Sequence, residues 1–179
     1  MSVPGTPDPA KLVIGMFTAR TELAGEVARQ MTERFGPLDL VSEWQDFDYT
    51  DYYTPEFGSP LFRRLFVFSD LMEQDELAAV KQATNVLEEK YREQDARLVN
   101  LDPGYLLRER FVLATGKNFA HRIYIGQGIY ADLTLLFRHN DFQALPWTYP
   151  DYADQRIRTF LHQVRKRYLL DLAGMPAPE

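Results

Sequence analysis

Between residues 11 and 101 the apolar positions of this chain change period four times, and that order of periods constrains the fold more than any other feature. Residues 11–17 (KLVIGMF) form a short apolar run with β-branched members, which predicts a strand. Leu23, Val27, Met31 and Phe35 then recur at helical spacing. Gly36-Pro37 stops that helix, because glycine accepts a left-handed cap and proline cannot continue the ladder. Residues 38–47 and 61–69 read as two further strands, and residues 70–91 as a second helix with Leu71, Leu77, Val80, Thr84, Leu87 and Tyr91 on its apolar side. Residues 96–101 supply a fourth strand. The order βαββαβ is the split arrangement of ferredoxin-like domains, in which two helices cover one face of an antiparallel sheet. The expected class is therefore α+β.

Beyond this core, Asp102-Pro103-Gly104 punctuates the chain and predicts a short helical turn over 105–110, with Asp102 as cap and Pro103 at its first position. Strands are expected at 111–115, 121–125 and 129–137, the last two joined as a hairpin by Gly126-Gln127-Gly128. A final helix over 152–172 carries Ile157, Phe160, Leu161, Val164 and Tyr168 on one stripe. A C-terminal β-hairpin and a last helix thus extend the ferredoxin-like core. Residues 1–10, rich in proline, read as a flexible lead-in, residues 11–172 as a single domain, and residues 173–179 as a flexible tail.

Several function classes fall away on composition. The 179 residues contain no cysteine, which excludes a disulfide scaffold, a thiolate metal site and a cysteine nucleophile. No stretch approaches the roughly 20 apolar residues of a membrane helix, and no basic segment leads into an apolar one at the start, so the cytoplasm is the expected location. The formal charge of −6 is uneven: residues 1–95 hold eighteen acids against nine lysines and arginines, whereas residues 96–179 hold eight against eleven. Overall acidity argues against nucleic acid as a partner, since that affinity comes mainly from cations displacing phosphate counterions. A local basic site in the second half is still compatible with it.

The hairpin defines that site. Strand alternation puts Ile129, Ala131, Leu133, Leu135 and Phe137 on one face, and Tyr130, Asp132, Thr134 and Arg138 on the other. With a three-residue turn at 126–128, Ile125 faces Ile129, Tyr124 faces Tyr130, Ile123 faces Ala131, Arg122 faces Asp132 and His121 faces Leu133. Arg122, Tyr124, Tyr130, Asp132 and Thr134 then share one face. In one reading this is a cross-strand ion pair on a solvated surface; in the other Arg122 binds a carboxylate or phosphate while Asp132 orients it. Lys117 and Asn118, beside Gly116, lie just before His121 and Arg122 and add donors for an anion. This is not a Walker loop, because Phe111 and Asn118 stand where glycine and Ser or Thr are required. His121 fits a buried histidine satisfied by one hydrogen bond, on the side of Ile123 and Ile125.

In the first half, Asp46, Asp48, Asp51 and Glu56 are interleaved with Phe47, Tyr49, Tyr52, Tyr53 and Phe57. So aromatic a loop either packs simply on the domain surface or folds over the sheet as a lid, with Tyr53 as an anchor and carboxylates such as Glu56 turned towards a cation or a basic partner. No EF-hand pattern is present; magnesium is the one cation its carboxylates suggest, and no cofactor is otherwise implied. In the segment 147–152, Thr148 or Asp151 could begin the final helix.

The phrases NLDPGY at 100–105, ATGKNFAHRIYIGQGIYADLTL at 114–135 and WTYPDY at 147–152 resemble a bacterial family known as domain of unknown function 4416, over about residues 11–172. The resemblance implies no reaction and no site residues, so those rest on the side chains themselves. They point to a small-ligand domain for an anionic metabolite or nucleotide, built from Lys117, Asn118, Arg122 and His121 beneath the aromatic loop. Were it an enzyme, Asp102, His121 or Asp132 would serve as acid or base, with Lys117 or Arg122 stabilising negative charge. The competing expectation is an interaction or self-association module using an exposed sheet edge, with a homo-oligomer as its product.

Overall fold

The computed structural model describes residues 1–174. One antiparallel sheet dominates it. Its central strand β1 (Ala10–Thr18) is buried along its whole length, so its side chains need cover on both faces. The turn after it leads to α1 (Ala24–Phe35), which buries Val27 and Met31 and ends at Gly36 with a φ of 88°. The expected second strand is shorter and broken in two, β2 (Leu38–Val41) and β3 (Gln45–Asp46). Ser42 makes the break: its amide donates to the Leu65 carbonyl, but the Leu65 amide donates back to the Ser42 hydroxyl at 2.9 Å instead of to a backbone carbonyl.

The aromatic loop carries one helical turn, α2 (Thr54–Phe57), before β4 (Phe62–Met72). That strand runs beyond the expected end at 69 because Leu71 and Met72 still pair with Lys11 and Ala10. The following helix therefore starts late: a capping box between Glu73 and Glu76 opens a 3-10 turn, and α3 (Leu77–Lys90) follows. A two-rung ribbon, β5 (Arg92–Glu93) with β6 (Ala96–Arg97), replaces the start of the expected fourth strand.

The largest correction falls at Asp102-Pro103-Gly104. These residues lie inside β7 (Asn100–Leu106), with Asp102 opposite Gly15, so Asp102 is not a helix cap and no helical turn follows. Proline is accommodated because pairing with the next strand, β8 (Arg110–Thr115), begins only at Gly104. The hairpin β9 (Arg122–Gly126) and β10 (Ile129–Arg138) keeps the expected pairs Tyr124 with Tyr130, Ile123 with Ala131, and Arg122 with Asp132. Its turn is tighter than expected: Gly126 pairs with Ile129, leaving Gln127 and Gly128 at positive φ, and His121 precedes the strand. A further strand, β11 (Asp141–Ala144), closes on β10 through His139 and Asn140, both also at positive φ.

The final helix is split into α4 (Pro150–Ala153) and α5 (Gln155–Ala173). Asp154 caps α5, its carboxylate accepting from the Arg156 amide at 2.7 Å, so neither Thr148 nor Asp151 begins that helix. Ala173 still belongs to α5, and the rest of the expected tail beyond 174 lies outside the described residues.

Strand order in the sheet is β11-β10-β8-β7-β1-β4-β2, with β9 alongside β10 and β3 alongside β4. Helices α1 and α3 lie together on one face, where Gln30 donates to the Tyr91 hydroxyl at 2.6 Å and Phe35 meets Phe68 at 5.8 Å. Helices α4 and α5 cover the other: the buried Lys11 reaches Asp171, and Tyr152 packs on Phe111 at 5.5 Å. Among the described residues no helix is long and apolar enough to cross a membrane.

Candidate functional site

Five strands reach one end of the sheet together, β1 and β8 by their C-terminal ends and β4, β7 and β10 by their N-terminal ends. On the face covered by α4 and α5, alternation presents Gly15, Phe17, Arg63 and Asp102 at that end. Arg63 is 3% exposed and forms the floor. Its Nη1 pairs with the carboxylate of Asp151 on α4, itself buried, and its guanidinium lies 4.1 Å from the Tyr152 ring centre and 5.7 Å from that of Phe47.

Half of this cation has nothing to bond. Nε and Nη2 of Arg63, and the Tyr152 hydroxyl, are buried and without a hydrogen-bond partner among the described residues. Gly15 lets both approach the backbone of β1: a Cβ there would stand 2.8 Å from Arg63 Nη2 and 3.0 Å from the Tyr152 hydroxyl. Burial pushes the Tyr152 phenol above its ordinary range, with the Arg63 cation pulling the other way. Asp102, half-buried, is the cross-strand neighbour of Gly15 on this same face.

The aromatic loop roofs this floor. Phe17 stacks on Phe47 with ring centres 4.9 Å apart, and Tyr53 and Phe57 complete the cluster at 4.6 Å and 5.1 Å from Phe17. Burial drives Tyr53 up to about 12, with the nearby charge of Asp102 adding to it. Glu56 does not face the site. It forks onto Arg97 at 2.7 and 2.9 Å, and hydrogen bonds from Arg97 hold its carboxyl below the usual range.

The hairpin forms one wall, and on its polar face Asp132 and Thr134 are buried while Tyr124 is exposed. Arg122 Nε donates to Asp132 at 2.8 Å, Nη1 to the Lys117 carbonyl at 2.9 Å and Nη2 to the Tyr149 hydroxyl at 2.6 Å. Three protein partners thus occupy Arg122, which clasps the basic turn and the 147–149 segment to β9. His121 shares the Asp132 carboxylate at 3.1 Å and stacks on Trp147, ring centres 4.9 Å apart, so it turns towards Asp132 instead of the apolar side. Thr134 is fully buried and donates to the Asp132 carbonyl, while Tyr124 and Tyr130 pack edge to face at 5.3 Å.

Lys117 and Asn118 are exposed at the rim, with Lys117 Nζ 5.2 Å from the centre of the Tyr52 ring. The basic turn and the aromatic loop therefore meet across this end of the sheet. Among the described residues no three His, Asp or Glu side chains group as a metal cage requires.

Sequence reasoning singled out the walls and, on the floor, Asp102 alone. Arg63 carries no motif, and Tyr149, Asp151 and Tyr152 stand out only as part of the 147–152 phrase and, for Asp151, as a helix start. The available signal was an arginine at the same strand phase as Leu65 and Val67, a charge where only burial is expected.

The model of the family described as Domain of unknown function (DUF4416) matches residues 8–168. No curated protein and no solved structure matches the chain.

Proposed function

Because this chain belongs to the DUF4416 family, a domain of unknown function, we propose its role from the site itself: a small-ligand domain that takes an anionic metabolite between the sheet end and the aromatic loop. One observation carries the reading, the buried guanidinium of Arg63 with two donor nitrogens left unpartnered. Buried polar groups are nearly always satisfied, and one that is not marks a place where something else bonds. Lys117 and Asn118 serve at the entrance, Tyr53, Tyr130 and Thr134 belong to the surrounding walls, and Arg122 and His121 hold those walls in place. The sheet order β7-β1-β4-β2 with α1 and α3 as its crossovers supports a ferredoxin-like core as the scaffold. Native mass spectrometry of the freshly purified protein, before and after denaturation, tests the reading. A stoichiometric small anion lost on denaturation is the expected result; a clean apo mass together with no saturable binding of added anions would refute it.

A second reading has its own support. On edge strand β9, Ile123 and Tyr124 are 68% and 59% exposed, and Phe119 beside them is 65% exposed. An apolar strand edge of this kind favours self-association. Under that reading mass rises with concentration and Ile123→Lys abolishes the rise.

A further inference from the structure

We infer that the ligand presents a planar monoanionic carboxylate to the Nε–Nη2 edge of Arg63, with the Tyr152 hydroxyl as a third donor above Gly15. The inference rests on the small-ligand reading and specifies its anion. Nε–H and Nη2–H lie on one side of the guanidinium and point the same way, which is the geometry that pairs side-on with two coplanar oxygens. Nη1, on the other side, is taken by Asp151, so the free edge is held in a fixed orientation by a buried ion pair and by the Tyr152 ring beneath it. The Tyr152 hydroxyl and Nη2 both approach the Gly15 backbone closely, 3.0 and 2.8 Å from where a Cβ would stand, so the two donors lie side by side over that residue.

Charge selects the class of anion. Arg63 is already neutralised by Asp151, and Asp102 stands on the same face beside Gly15. A phosphate dianion would bring two further negative charges into a buried site with one matched cation, whereas a carboxylate brings one. The roof of Phe17, Phe47 and Tyr53 around this head group favours an apolar or aromatic body behind the carboxylate.

The test is a titration of the full chain with sodium benzoate, sodium acetate and inorganic phosphate at constant ionic strength, followed by NMR of the Arg63 Nε–H. Benzoate is expected to shift that resonance saturably and phosphate is not. Tyr152→Phe removes only an unpartnered hydroxyl, so it should leave thermal stability equal or higher while weakening benzoate about tenfold. Arg63→Gln should abolish binding; should that variant not fold, Tyr152→Phe still decides the matter. A benzoate affinity unchanged by Tyr152→Phe, or phosphate binding more tightly than benzoate, overturns the carboxylate assignment. Saturable binding that moves Lys117 but not Arg63 overturns it too, while leaving the ligand domain standing. No saturable shift with any of the three anions removes both.

Discussion

A methyl group at position 15 has nowhere to go but into the Arg63 guanidinium and the Tyr152 hydroxyl. Gly15→Ala should therefore cost about 1–3 kcal/mol in urea denaturation, the range for overpacking a tight interior, and should weaken benzoate as well. The hairpin wall depends on a different single atom group. Asp132 is the carboxylate that Arg122 and His121 share, and the Arg122 side chain is nine-tenths buried. Asp132→Ala leaves that cation without its counter-charge and should destabilise by about 3–5 kcal/mol, whereas Asp132→Asn, which keeps an acceptor, should cost less. Equal losses in chemical denaturation would mean that the charge, and not the acceptor, is what the position supplies.

Among the elements, α5 shows how a cap sets acid sensitivity. Hydrogen bonds from Arg156, and also from the Tyr49 hydroxyl, lower Asp154 from the ordinary 3.8 to about 2. A carboxyl whose folded value lies below its unfolded one stabilises fully above the unfolded value and loses that contribution as pH falls through the folded one. Unfolding free energy should thus fall between about pH 4 and 2. Asp154→Asn retains the cap acceptor and should flatten this part of the acid limb in a pH series of denaturation curves. The elements also show what could be read in advance. Tyr124, Ile123 and Arg122 find their partners on β10 as expected, because like polarity faces like polarity in only one register. β7 was hidden because Asp-Pro-Gly is a local turn signal, and only tertiary pairing with β1 reveals it as a strand. The site floor was hidden for a related reason: pattern tells which side of a strand is buried, but not that an acid 88 residues after Arg63 will return to neutralise it.

Across the whole molecule, charge ties the α5 layer to the sheet. Lys11, fully buried in the central strand, contacts Asp39 after α1 at 2.9 Å and Asp171 near the end of α5 at 2.7 Å. Lys11→Met would leave two carboxylates together with only the partly exposed Arg167 between them. A loss of about 3 kcal/mol is expected, seen as one cooperative transition at lower temperature. β1 is made before both of its neighbours, β4 and β7, and the face holding Lys11 and Arg63 waits for α4 and α5. On the ribosome the central strand can pair with β4 first, and its other edge stays open until β7 has emerged. Lys11 and Arg63 stay hydrated until α4 and α5 arrive, which makes the docking of those helices the step at which water leaves the site.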